Sequence, residues 1–536
     1  MHLLISAKRI IPVAVLGFVL SLSLVMPTAQ ALPTPSQLCE RPNNTYIQLL
    51  HCVTVEGVRR HQAAFQAFAD RNNDQYYPGT RAAGTVGYRA SAAYVAAQLK
   101  RAGYQVRLDP FQFQFDFPVV LEQLTPVPPG PVEYESGSFT GGGAGEVTGP
   151  VIPVDINLEG DRASTSGCED SDFAGLDFSG DNDIALIQRG TCFFGDKALN
   201  AEEAGAEAVI IFNQGNDPTR MDLIVGTLEP TVVTIPVVGA SFEQGVALAQ
   251  PGSTAHILII PSETRTDVNV IAEKVGTLNP DNVVMSGAHL DSVTEGPGIQ
   301  DNGSGSAALL ETALQMSRGT TPNTMRFAWW GAEELGLVGS TAYVEGLSEV
   351  QRGRIAMYMN YDMVGSPNYI FMVYDADQSS FVAPVVVPPG SEAIEDVYES
   401  YYTRVGEPYD DSEFSGRSDY QAFIDAGIPS GGLFTGAEQV KTEEQEMIWG
   451  GTAGEQFDPC YHLACDDFDN VNLHALDVNS DLIAFAQLTF AYSTESINGV
   501  PGARVPGPGG NMPTPAGPEG TFVEGDGGQG PGPITS

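Results

Sequence analysis

The spacing of apolar and polar positions divides the chain into stretches of different texture. Residues 58–70 and 91–102 repeat at helical spacing. In the second, Tyr94, Val95, Gln98, Leu99 and Ala102 share one face, with Ser91 as the expected N-cap and Gly103 as the stop. "GYQVRLDPFQFQF" then alternates like a strand. After the Pro-rich joint "TPVPPGP", short apolar runs ("DIALIQRG", "AEAVIIFN", "IPVVGAS") lie between Gly and Asp turns, with one helical pattern, "FGDKALNAEEAGA". From residue 266 buried-strand runs alternate with helices: "NVVMSGAHLD", "SGSAALLETALQMSRG", "TMRFAWWGAEELG", "IAMYMNYDMVG".

This pattern predicts an α/β fold, a mixed and mostly parallel central sheet flanked by helices, interrupted by a small β-rich insert. The expected layout is a signal peptide at 1–31, a main domain built from 32–130 and 262–497, the insert at 131–261, and a disordered Gly/Pro-rich tail at 498–536. The signal reading rests on Lys8 and Arg9, the apolar run 10–25, and Ala29-Gln30-Ala31 as the cleavage site. The expected product is exported, either extracellular or periplasmic, monomeric, and free of the membrane once the signal is removed.

Charge narrows the partners. With 25 basic and 67 acidic residues the net charge is −42, which repels nucleic acid and anionic membranes. Six cysteines in an exported chain suggest three disulfides. Clustering favours Cys39–Cys52, Cys168–Cys192 and Cys460–Cys465, one of fifteen connectivities.

The chemistry gathers at strand ends, where such sheets place their sites. One end gives His289 and, across a Gly-rich loop, Asp301; the next gives Glu333-Glu334; the third gives Asp362; and "DPCYHLACD" adds Tyr461 and His462 inside a short cysteine ring. Each motif has a plainer reading: a turn, a solvated acidic pair, a helix cap, a staple. Together they offer ligands for two metal ions, His289 with Asp362 and His462 with Glu334, bridged by Asp301. Glu333 is then left as general base. Asp291 is placed to orient His289, and Tyr461 to donate to an oxyanion.

The segments "GAHLDSV", "GIQDNGSG", "WWGAEELGLVGS", "NYDMVG", "GRSDYQAF…AGIPSGGLFTGAE" and "DPCYHLACD" resemble the secreted double-zinc aminopeptidase family of bacterial leucine aminopeptidases and the yeast vacuolar aminopeptidase. The resemblance implies two zinc ions on His289, Asp301, Glu334, Asp362 and His462, with Glu333 as base and Tyr461 as oxyanion donor. It also implies a non-proline cis peptide after Asp301. Met363, Gly416, Arg417 and Phe434 match positions lining the side-chain pocket, implying peptide substrates with a free N-terminus and a large apolar first residue such as leucine. The insert resembles a protease-associated domain, carried by "IALIQRGTCFFGDKALNAEEAGAEAVIIFN". Asp477 and Asp481 match a calcium-binding pair of some members, whereas the segment around 52–56 departs from its N-terminal partner. A carboxypeptidase of the same fold, with Arg417 facing the substrate carboxylate, and an inactive receptor-like homologue remain as alternatives.

Overall fold

The computed structural model describes residues 39–126 and 130–522; the signal segment and the last residues of the tail lie outside them. The central sheet has eight strands. From edge to edge they are Gln105–Phe115, Glu263–Lys274, Asn323–Trp330, Asn279–His289, Ile355–Tyr361, Ser430–Phe434, Met372–Tyr374 and Asp410–Ser412. The four middle strands, from Asn323–Trp330 to Ser430–Phe434, run parallel. Gln105–Phe115 and Glu263–Lys274 pair antiparallel along their whole length.

The middle strands carry apolar residues on both faces because both faces are covered. Successive side chains point to opposite faces. Val284, Met325, Phe327 and Trp329 therefore join the core under the helices Val86–Arg101, Gly303–Met316 and Leu473–Tyr492. Met285, Ala328, Trp330 and Tyr358 join the opposite core, against Tyr343, Val344, Phe423 and Ile424.

Helix Val86–Arg101 begins earlier than its apolar pattern suggested. Thr85, not Ser91, is the cap and accepts from the Tyr88 N–H, while the buried Ser91 hydroxyl donates to Gly87 O within the helix. Gly87 marks no break: a Cβ there would lie 2.0 Å from Thr80 O, so the glycine permits a close crossing.

A second sheet of seven strands runs Val132–Tyr134, Val120–Thr125, Thr254–Ile259, Gly145–Val154, Ile184–Gln188, Ala208–Phe212, Val237–Ala240. The boundary expected at 131 falls inside it. Val120–Thr125 pairs antiparallel with Thr254–Ile259, so the chain enters this sheet before the Pro-rich stretch, which connects two of its strands.

The tail expected to be disordered from 498 is ordered as far as Phe522. It has no apolar period of its own and is held by polar groups of the main domain. Arg404 donates to Gly509 O and Ser400 to Pro513 O, and Tyr409 receives Gly517 N–H. The Asp410 carboxylate accepts from the N–H groups of Gly520, Thr521 and Phe522. The three disulfides pair as the clustering indicated.

Candidate metal centre

The side chains singled out at the strand ends converge. His289 closes the strand Asn279–His289. Asp301 precedes the helix Gly303–Met316, whose cap Asn302 accepts the Gly305 N–H. The peptide between Asp301 and Asn302 is cis. Glu333 and Glu334 follow Asn323–Trp330, and Asp362 follows Ile355–Tyr361. His462 comes from the ring closed by Cys460–Cys465.

Three non-glycine residues with positive φ punctuate these turns: Ala332 (55°), Met363 (50°) and His462 (56°). Such backbone conformations are costly for side chains with a Cβ and persist where the surroundings fix them. Here they re-aim the chain just as each strand delivers its polar group.

Two triads overlap on Asp301. His289 Nε2 lies 3.2 Å from Asp301 Oδ1 and 3.1 Å from Asp362 Oδ1. His462 Nε2 lies 3.4 Å from Asp301 Oδ2 and 3.2 Å from Glu334 Oε2. Each triad presents its donor atoms within 4.8 Å of one another, as do His289, Glu333 and Glu334. His289 Nδ1 and Glu334 Oε1 are buried without a hydrogen-bond partner. Two imidazoles and three carboxylates form a donor set suited to zinc, and the unpaired atoms show a cluster that its own members do not satisfy.

The electrostatics follow from crowding like charges in a dry site. Burial pushes the Glu333 carboxyl well up, with Glu334 and Asp362 adding to it. Burial and then Asp301 push Glu334 up to about 7. Burial opposes ionisation of Asp301, yet His289 and His462 hold its carboxyl below the usual range.

Asp291 faces His289 and has a second part as well. Its Oδ1 stands 3.6 Å from His289 Nδ1, an ion-pair distance between two buried side chains. Its carboxylate also receives the backbone N–H groups of Glu333 and Glu334, at 3.2 and 3.4 Å, and so fixes the turn that carries both glutamates.

A cleft of about 620 Å³ opens over the cluster, and Met363, Arg417, Phe434 and Tyr461 line it. Gly416 does not. Its positive φ (83°) makes the turn and its N–H donates to Tyr420 Oη, so the neighbours Ser415 and Arg417 reach the cleft instead. Arg417 pairs with Glu438 at 2.7 Å and approaches Tyr461 Oη at 3.3 Å. The ring of Tyr461 stacks on His462. Asp477 and Asp481 belong to no group of three potential metal ligands among the described residues.

Several supporting groups had no signal in the motifs. Asp466 accepts the N–H groups of Gln300 and Asp301, at 2.8 and 2.9 Å. Ser418 donates to Asp362 Oδ2 at 2.6 Å and receives Asn360 Nδ2. Arg81, fully buried, donates to the carbonyls of Leu290, Pro297 and Gly298, tying down the loop between His289 and Asp301. Tyr374, Tyr420 and Phe522 complete the cleft wall. Asp466 follows a cysteine of the ring, a hint that could have been used; Arg81 and Phe522 lie in stretches without periodicity.

Comparison with known proteins agrees with this geometry. Residues 269–487 match peptidase family M28 and residues 147–248 match the PA domain. An aminopeptidase of Pseudomonas aeruginosa is 45% identical over 475 residues, covering 87% of this chain and 86% of its own length. A probable leucine aminopeptidase 2 of Aspergillus fumigatus is 44% identical over 336 residues, 62% of this chain and 66% of its own. The crystal structure of a zinc aminopeptidase from Bacillus subtilis aligns with a TM-score of 0.54 at 25% identity, over 81% of this chain and 94% of that one. With the cluster, the central sheet and the extent of these matches in agreement, the chain belongs to peptidase family M28 and carries an inserted PA domain.

Proposed function

We propose that this M28 peptidase is an exported zinc aminopeptidase that holds two metal ions and removes large apolar residues from peptide N-termini. The observation that carries the reading is the sharing of Asp301 between two histidine-bearing triads, with Glu333 beside them and in neither. His289, Asp301 and Asp362 would hold one ion; Asp301, Glu334 and His462 the other. When bound, zinc supplies Lewis acidity toward water and toward the substrate carbonyl. Glu333 takes the proton of the attacking water and returns it to the leaving amine, work suited to a buried carboxyl of raised proton affinity. Tyr461 donates its hydroxyl hydrogen to the developing oxyanion. Burial raises its pKa, so the proton is kept, and the Arg417 guanidinium orients the oxygen.

Met363, Phe434 and Tyr374 give the cleft an apolar wall that fits a leucine-sized side chain, and a relative named a leucine aminopeptidase supports the choice. Arg417 argues against the carboxypeptidase alternative. It is already neutralised by Glu438 and turned toward Tyr461, leaving no free cation for a substrate carboxylate. Export is supported by three disulfides. Among the described residues no helix is long and apolar enough to cross a membrane.

The test is Glu333→Gln. Zinc content should stay at two per chain while turnover of a leucine amide falls ~10²–10⁴-fold, and amino-blocked substrate should resist the wild-type enzyme. Near-native turnover in the variant, or cleavage of the blocked peptide, would overturn the reading.

A further inference from the structure

A second group of acids lies behind the cleft wall, apart from the zinc cluster. The edge strands Met372–Tyr374 and Asp410–Ser412 pair in parallel, and Tyr374 and Ser412 face the cleft. Asp411 lies within the second of these strands, Asp375 and Asp377 follow the first, and the helix Glu392–Val405 brings Glu395 and Glu399 alongside. Oxygens of Asp375, Asp377 and Glu395 come within 4.8 Å of one another, as do those of Glu395, Glu399 and Asp411. Among the described residues none of the five forms an ion pair.

Backbone N–H groups and serine hydroxyls satisfy part of this cluster. Asp375 accepts from the N–H groups of Ser379, Ser380 and Phe381, and Glu395 from those of Ala376 and Asp377. Asp411 Oδ2 accepts from the hydroxyls of Ser379 and Ser380. Its other oxygen, Oδ1, is sealed from solvent with no hydrogen-bond partner, on a side chain 1% exposed. A buried carboxylate oxygen left unpaired among other carboxylates needs a cation or a proton.

We infer that Asp375, Asp377, Glu395, Glu399 and Asp411 form a binding site for a hard divalent cation, calcium, which ties the loop after Met372–Tyr374 to the edge strand Asp410–Ser412 and to the helix Glu392–Val405. The donor set holds oxygen alone, with neither imidazole nor thiolate, which selects calcium or magnesium over zinc. Its irregular, carboxylate-rich arrangement favours the larger, more tolerant ion. Without a cation the repulsion has to be relieved by protons. Burial, then Asp377, pushes Glu395 up to about 9, and burial, then Asp411, pushes Glu399 up to about 7. The site is distinct from the pair Asp477 and Asp481 and does not depend on the peptidase assignment.

The test is calorimetric titration of CaCl2 into full-length, zinc-loaded protein in calcium-depleted buffer, with the melting temperature followed in parallel. The wild type should take up one calcium with a dissociation constant of ~10⁻⁴ M or tighter and melt higher when saturated. Asp411→Asn and Glu399→Gln should weaken uptake ~10-fold or more and lose the melting shift. Asp377→Asn, at an exposed position, should do the same if the buried variants fail to fold. Asp477→Asn should bind as the wild type does. No heat and no melting shift at millimolar calcium would leave the cluster to protons and overturn the inference. So would full binding in Asp377→Asn and Glu399→Gln, or loss of binding in Asp477→Asn.

Discussion

The two sheets use the same element and end it differently. In the insert, Ile184–Gln188 and Ala208–Phe212 are parallel and fully buried, as are the strand that leads to Asp362 and, from Asn282 on, the one that ends in His289. The insert strands finish in amides whose bonds are all made, mostly by nearby backbone. Gln188 Nε2 donates to the carbonyls of Asn157 and Gln214, its Oε1 receives Asn157 N–H, and Asn213 Oδ1 receives Arg189 and the Gln214 N–H. The main sheet finishes in imidazoles and carboxylates with atoms left over. A buried strand can carry either kind of terminus. Complete pairing makes a scaffold, and incomplete pairing makes a receptor for a cation.

The contrast is most exposed at Asp301. Asp301→Ala should remove both bound zinc ions and reduce peptidase activity to background, measured by metal analysis and leucine-amide turnover; a variant keeping one tightly held ion and partial turnover would show that the triads do not share this residue. Next is Arg81→Met. Removing a buried cation beside Asp466, Asp291 and Asp301 should cost ~3–5 kcal/mol of stability, read by denaturant unfolding. Smaller again is Gln188→Ala. Its buried partners lose their bonds at a cost of ~1–3 kcal/mol, and kcat per folded molecule should not change. A fall in kcat there would mean that the insert does more than scaffold.

A further effect is a pH slope that belongs to the insert. Lys197 is fully buried, donates to Ser166 O, and burial lowers its pKa from 10.5 to about 8. Between those values the unfolded chain binds more protons than the folded one, so stability should rise as pH goes from about 8 to 10.5. Lys197→Met should flatten the slope in a melting series, and an unchanged slope would place the titration elsewhere.

The architecture and the candidate ligands were legible in the sequence because both obey short-range rules. Buried parallel strands read as apolar runs; His289 closes one, Glu333, Glu334 and Asp362 come shortly after two others, Asp301 precedes the helix that follows the first, and His462 lies inside a marked ring. For Asp291 sequence spacing pointed to its neighbour His289, which it faces, but gave no sign of its bonds to the Glu333–Glu334 backbone, which lies some forty positions away. The start of the insert sheet and the ordered tail escaped for one reason. Val120–Thr125 and residues 509–522 take their structure largely from hydrogen bonds to residues over a hundred positions away, such as Leu258 and Asp410, and local pattern carries no trace of these.

The ring closed by Cys460 and Cys465 has a consequence for where the catalyst can be assembled. It supplies both His462 and Tyr461, and it keeps the histidine in a backbone conformation that an open loop would readily abandon. A chain held among cytoplasmic thiols would have the sheet and three carboxylates in place, yet lack a fixed second imidazole. On the function proposed above, reducing this one short loop should lower peptidase activity.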